Sequence, residues 1–395
     1  MKTLLFTNLY PSTQAPTRGM YNLHLFRALS NHCETRLVSS LPWWTRLRRP
    51  GELFSAPRES GTGIDAVYPT YWTVPRIGQG LHGRAMYLSL RRSIRKLHDE
   101  FPFDIVLAAW AYPDAVAAAM IARDFGCPLV TNVLGSDINT LAAIPGLDDQ
   151  IRRALQHSQR VIAVSAALRE RVVALGVSED RAVVQHNGVD ADSFLLQEKS
   201  TARTRLGLEI ESPLIVYIGN LVPEKGVDVL VEAMARLKTL GRPDVRLAMV
   251  GGGASEPVLR SRIEALGLKS SVYLYGRRPH TEIPHWMSAC DVFCLPSRRE
   301  GCPNVILEAL CAGRPVVASR VGGIPELLSE QGTNGLMVPD GDPAALAIAL
   351  KAALARSWSP ECLRASGPLR SWNEVGAEYF RLLVESVDEW HHKRR

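Results

Sequence analysis

The sequence lacks most of the features that would place it in a specialised class. Its seven cysteines (33, 127, 290, 294, 302, 311 and 362) are odd in number and include no Cys-x-x-Cys pair. That argues against a disulfide-stapled scaffold and the common zinc ribbons. Several lie in apolar runs such as ACDVFCLPS, so they read as reduced packing residues of a cytoplasmic protein. Cys302 adjoins Glu300, but no histidine stands near it to make a thiol nucleophile. No apolar run reaches the ~18 residues of a membrane span. The nearest, DIVLAAWAYPDAVAAAMIA, is interrupted by Pro113 and Asp114. The opening MKTLLFTNLYP has one lysine and an apolar run that stops at Thr7, so it reads as a first strand, not a signal peptide. Zinc-finger spacing, RNP-type motifs and a helix-turn-helix are missing, which sets nucleic acid aside as a partner. The P-loop spacing and any metal-spaced His/Cys/Asp cluster are missing too, so no metal and no cofactor are expected.

What is present describes an ordinary globular chain of two domains. It has 395 residues, 46% hydrophobic and 22% charged, with a net charge of +6. The charge is uneven: residues 36–96 hold eleven Lys/Arg against three Asp/Glu, interleaved with Trp, Tyr and Leu. Such a segment suits peripheral contact with anionic lipid or a lipid-linked phosphate, and it equally suits a solvated basic helix face.

Two series of short apolar runs alternate with helical patterns, the signature of parallel α/β sheets. The first comprises TLLFTNL, CETRLVSS, DIVLAAW, PLVTNVLG, RVIAVS and RAVVQHNG. The second comprises PLIVYIGN, VRLAMVGGG, VYLYGR, DVFCLPS, PVVASR and GLMVP. The charged LLQEKSTARTRLGLEIES between them puts the boundary near residue 196, giving domains 1–195 and 196–371. A last segment carries Val375, Tyr379, Leu382, Leu383 and Val387 at helical spacing and fits either domain. In doubly wound sheets, ligands bind beyond the carboxyl ends of the strands.

Three stretches carry chemistry at such ends. In YIGNLVPEKGVDVLVEA a strand ends at Gly219, and Lys225 precedes a helix whose free N–H groups attract anions, unless it is an ordinary βα loop. In MVGGGASEP, Gly251, Gly252 and Gly253 allow either a ligand's close approach or a tight turn. In SRREGCPNVILEAL, Glu300 precedes a turn and Glu308 lies in the helix after it, with Pro303 suited to the first helical position. A phosphate at that helix start would leave two carboxylates facing hydroxyls, as in a sugar phosphate or nucleotide. RVGGIPELL supplies a further glycine turn from the next strand.

Glu300 and Glu308, with seven residues between them, match the E-x7-E signature of retaining GT-B glycosyltransferases, notably family 4. The resemblance covers nearly the whole chain, through YIGNLVPEKGVDVLVEA, VIAVSAALRERVVALGV with VVQHNGVDADSF, and DVFCLPSRREGCPNVILEALCAGRPVVASRVGGIPELL. It implies two Rossmann-like domains facing a cleft that closes over a nucleotide-diphosphate sugar. It also implies that helix 372–395 returns to the first domain, and that sugar passes with retention to a glycan or lipid-linked acceptor in surface polysaccharide synthesis at the cytoplasmic membrane face. By position, Lys225 would hold the diphosphate beside Gly219 and Asn220, Glu300 the sugar, and Glu308 the ribose. Gly301, Cys302, Pro303, Asn304 and Val305 would line the phosphate or sugar. Gly276 and Arg277 would lie by the base, and Gly19 would approach the phosphates. Gly135, Ser136 and Asp137 fall on the acceptor side, with Asp137, Glu300 and Lys225 the residues nearest the chemistry.

Two positions depart from the family pattern. Asn220 stands where many relatives have arginine, which leaves phosphate charge to Lys225 and Arg298 or Arg299. Leu134 replaces the usual histidine before Gly-Ser-Asp, and leucine neither hydrogen-bonds nor moves a proton. A non-catalytic nucleotide-sugar-binding subunit, which would convert nothing, is therefore an alternative. A GT-B epimerase, which would convert donor without acceptor, is the other. The Asp-x-Asp pairs at 190–192 and 340–342 read as turns, not metal ligands.

Overall fold

A computed structural model describes every residue except Gln14, 48–57, 60–62, 75–77 and Arg395. Parts of the basic segment expected to meet anionic lipid thus lie outside the described residues. The chain divides into two compact units, Met1–Asn187 with Trp372–Arg395, and Gly188–Ser371.

The first unit carries β1 (Lys2–Thr7), β2 (Glu34–Ser39), β3 (Leu41–Pro42), β4 (Arg58–Glu59), β5 (Ala66–Val67), β6 (Thr70–Tyr71), β7 (Ile105–Ala109), β8 (Leu129–Val133), β9 (Arg160–Ala163) and β10 (Ala182–Val184). Eight form one sheet in the order β10-β9-β8-β7-β1-β2-β5-β4, and β3 pairs β6 separately. Every pairing is parallel except β4 with β5. β7 and β8 are buried at every position, which is why they appear in the sequence as continuous apolar runs instead of alternations. The strand order reverses between β1 and β7.

Helix Trp372–His392 packs on helix Met20–Ser30 of this unit. Val375, Tyr379, Leu382 and Leu383 enter its core, each stabilising by about 1.5–3 kcal/mol. Gly376 permits the approach, since a Cβ there would lie 2.7 Å from the Ala28 carbonyl carbon. Glu385 and Glu389 tie the far end of the helix to Arg160 at the start of β9.

The second unit carries β11 (Leu214–Ile218), β12 (Arg246–Val250), β13 (Val272–Gly276), β14 (Val292–Leu295), β15 (Val316–Ser319) and β16 (Gly335–Val338). They form one parallel sheet in the order β13-β12-β11-β14-β15-β16, reversing between β11 and β14. The boundary expected near 196 falls at Gly188 instead. Residues 189–194 are held by this unit: the Val189 N–H donates to the Arg370 carbonyl at 2.8 Å, and Arg364 donates to the carbonyls of Ala191 and Phe194.

Candidate functional site

The reversal between β11 and β14 brings two loops side by side in the second unit. The loop after β11 contains the short turn Pro223–Lys225, then Gly226, then the thirteen-residue helix Val227–Thr239. Gly226 is left-handed, φ +61°, and a Cβ there would lie 1.9 Å from the Pro296 carbonyl oxygen, so only glycine lets the loops touch. The Arg298 N–H donates to the Glu224 carbonyl at 2.8 Å. Across this seam the Lys225 ammonium donates to Glu300 Oε1 at 2.6 Å, and Ser297 Oγ donates to the same oxygen at 2.6 Å. Glu300 is 8% exposed and Lys225 29%, so the carboxylate is walled in while the cation keeps an open side. A cation beside a helix amino end, with one face open, is equipped to take a phosphate.

The second glutamate sits differently. Pro303 caps helix Asn304–Cys311 from outside, one place before the first helical position expected for it. Glu308 is half-buried on that helix, and its carboxylate has no hydrogen-bond or ion-pair partner among the described residues. Withdrawal from water, with Asp190 adding negative charge nearby, pushes its carboxyl up to about 7. A hydroxyl donor would relieve that penalty. The turn between the glutamates is braced from the β15 exit. A Cβ on Gly322 would lie 2.0 Å from the Glu300 carbonyl oxygen, and the Gly323 N–H donates to the Gly301 carbonyl at 2.9 Å. The amide of this second glycine turn is thus spent on bracing the first. Cys302 is buried and Val305 half-buried.

The Gly251–Gly253 cluster serves packing. Cβ atoms on Gly251 and Gly253 would lie 1.8 Å from the Gly219 carbonyl oxygen and 2.3 Å from that of Leu221. These glycines bring the β12 exit onto the β11 exit. Arg277 lies over Gly252, its Cγ 3.2 Å from where a Cβ would stand, and the Gly276 carbonyl accepts from the Gly251 N–H at 2.9 Å. Asn220 is exposed, and its carbonyl accepts from the Tyr217 hydroxyl. Arg298, expected to share phosphate charge, is occupied: its guanidinium grips Asp228 at 2.8 and 2.7 Å. Arg299 is exposed with no ion pair among the described residues. Asp190 accepts from Ser193 in a turn, and Asp342 caps helix Pro343–Ala355.

In the first unit, Gly19 is left-handed at the start of helix Met20–Ser30, and a Cβ there would lie 2.2 Å from the Leu9 carbonyl oxygen. Asp137, expected near the chemistry, is turned inward. It is wholly buried, and its two oxygens accept from the N–H groups of Ala111, Leu134 and Gly135 at 2.8–3.3 Å. Burial raises its carboxyl to about 6 against the pull of these bonds. Its role is to shape the Leu134–Gly135 loop. Ser136 is exposed at the start of the short helix Ser136–Asn139. Sequence reasoning missed Ser297, whose only signal was its position three residues before Glu300.

Comparison with known proteins covers both units. The profile of glycosyl transferases group 1 matches residues 212–356, and that of glycosyltransferase family 4 matches residues 20–193. A Bacillus subtilis protein assigned to teichuronic acid biosynthesis as a glycosyltransferase, TuaC, is 28% identical over 91% of both chains. The D-inositol 3-phosphate glycosyltransferase of Xylanimonas cellulosilytica is 33% identical over 69% of both. Among solved structures, Anabaena HepE in complex with UDP matches with a TM-score of 0.71 at 20% identity, covering 100% of this chain and 99% of that one. Sucrose-phosphate synthase of Thermosynechococcus elongatus matches with a TM-score of 0.75 at 20% identity, covering 100% and 98%.

Proposed function

Because the chain belongs to the group 1, family 4 glycosyltransferases of the GT-B fold and is a hexosyltransferase-type enzyme, we propose that it transfers a hexose from a nucleotide-diphosphate sugar with retention of configuration. The acceptor is a glycan or lipid-linked sugar of surface polysaccharide synthesis. The observation that carries the donor reading is the Lys225–Glu300 pair at the β11/β14 reversal, with the unpartnered Glu308 carboxylate beyond it. Lys225, shared between Glu300 and the incoming diphosphate, offsets the charge that develops as the glycosyl–phosphate bond breaks, and the helix amino end adds to it. No metal is needed for that neutralisation. Glu300 receives hydroxyls of the sugar and Glu308 those of the ribose. An acceptor hydroxyl arriving on the face the phosphate leaves finds the departing phosphate oxygen beside it, and that oxygen takes its proton. The UDP complex of HepE and the assignment of TuaC to teichuronic acid synthesis support a UDP-sugar and a polysaccharide product.

The test follows the anomer released when the enzyme slowly hydrolyses an α-linked UDP-sugar, read by NMR before mutarotation. The α-sugar appears first if configuration is retained, and the β-sugar first would overturn retention. Leu134 favours a second reading, a nucleotide-sugar-binding subunit without turnover, for which no sugar is released at all. No described helix is long and apolar enough to cross a membrane. The reading gives the basic segment 36–96 a peripheral contact with anionic lipid. Failure to float with anionic vesicles at low salt would remove that role.

A further inference from the structure

The second unit carries a cavity at the edge of its sheet opposite the Lys225 and Glu300 loops. Pro213, Asp291 and Pro315, each the residue just before β11, β14 or β15, line it at the amino ends of those strands. Its volume is about 680 Å³, and an adjoining cavity of about 290 Å³ shares Lys199 and Arg314 with it. Arg314 is 8% exposed. Its Nη2 donates to the Gln197 carbonyl at 2.8 Å, its Nε–H has no acceptor, and it forms no ion pair among the described residues. Asp291 is already spent: Lys199 and Arg203 both bind it, and it accepts from the Leu214 N–H at 2.8 Å. Arg356, also in the lining, forms no ion pair among the described residues either. Its guanidinium lies 4.1 Å from the centre of the Trp358 ring and donates to the Gly332 carbonyl at 2.7 Å.

An arginine stays charged at any working pH, and a buried guanidinium without a counter-charge destabilises the fold. Withdrawal from water acts against the Arg314 charge, and Asp291 and Glu198 offset that only from beyond ion-pair distance. The uncompensated positive charge of the cavity thus belongs to Arg314 and Arg356, whose planar forks match a phosphate. Two further lining carboxylates, Glu198 and Glu211, are exposed and suited to accepting hydroxyls. The volume is that of a metabolite pocket, roughly 300–1,000 Å³. We propose that this cavity binds the phosphate ester of a sugar or other polyol, with Arg314 and Arg356 on the phosphate and Glu198 and Glu211 on the hydroxyls. Helix Asn304–Cys311, which carries Glu308, ends three residues before Arg314, and the Arg314 N–H donates to the Ala309 carbonyl at 2.9 Å. The cavity therefore meets that helix at the end away from the donor loops.

The test follows thermal unfolding with D-glucose 6-phosphate and glycerol 3-phosphate at ~10 mM. Inorganic phosphate, citrate and D-glucose at matched ionic strength are the comparisons. At least one ester is expected to raise the wild-type Tm by roughly 1–3 °C, more than any comparison compound does. The rise is expected to persist in Lys225→Ala, which removes the cation of the donor loops, and to fall by half or more in Arg314→Gln and in Arg356→Gln. No rise with either ester overturns the proposal. So does a rise that inorganic phosphate or citrate equals, one that survives undiminished in Arg314→Gln, or one that is lost in Lys225→Ala. Should Arg314→Gln fold poorly, Arg356→Gln, at an exposed position, makes the same comparison.

Discussion

Lys225 and Glu300 meet 2.6 Å apart, nitrogen to oxygen, although 75 residues separate them in the chain. The contact exists because β11 and β14 are neighbours in the sheet and not in sequence. Removing the lysine strips a walled-in carboxylate of its cation and leaves the Ser297 hydroxyl donating to it. Lys225→Ala is therefore expected to lower stability by about 1–3 kcal/mol and transfer by about 10²–10³-fold. Urea unfolding and initial-rate assays on one preparation separate the two effects.

Arg298 provides the contrast. Its guanidinium grips Asp228 on the surface, where such pairs contribute about 0–1 kcal/mol. Arg298→Ala is expected to keep donor affinity within a few-fold of wild type. A loss matching that of Lys225→Ala would mean that the pair opens when the diphosphate binds.

Glu308 gives a pH signature. Its folded pKa, about 7, lies above the ordinary glutamate value, so the folded state holds the extra proton between about 4.5 and 7. Stability is thus fully present below that window and falls as pH rises through it, by roughly 2–3 kcal/mol. Ribose hydroxyls favour the anion, so nucleotide binding releases a proton and tightens over the same range. Titration calorimetry at pH 5.5 and 8 is expected to show the tighter Kd at pH 8, and Glu308→Gln is expected to flatten both trends.

The glycines divide by what surrounds them. Gly251→Ala drives a Cβ to 1.8 Å from the Gly219 carbonyl oxygen and is expected to destabilise by ~2 kcal/mol or more. Gly267→Ala also takes a positive φ, +63° against +146° at Gly251, but meets nothing within 4 Å. It is expected to cost ~1 kcal/mol. Equal shifts in Tm would remove the packing role given to the Gly251–Gly253 cluster.

Much of the fold is legible in the sequence because parallel strands covered on both faces appear as unbroken apolar runs, and all twelve such runs are strands. The two-residue strands β3 to β6 are too short to leave a pattern. The boundary shifted from 196 to Gly188 because hydrogen bonds from Val189 and Arg364, not composition, decide where residues 189–194 belong. At the site, residue type was legible and partnership was not. Arg298 looks available until Asp228 claims it, and Asp137 looks presented until three backbone amides turn it inward.

The donor site at the β11/β14 reversal is tested most directly by thermal stabilisation with UDP, GDP and ADP, applied to wild type, Lys225→Ala and Glu308→Gln. One nucleotide is expected to raise the wild-type Tm, and that rise is expected to shrink or disappear in both variants. Undiminished stabilisation in both variants, or none by any nucleotide in wild type, would contradict the site.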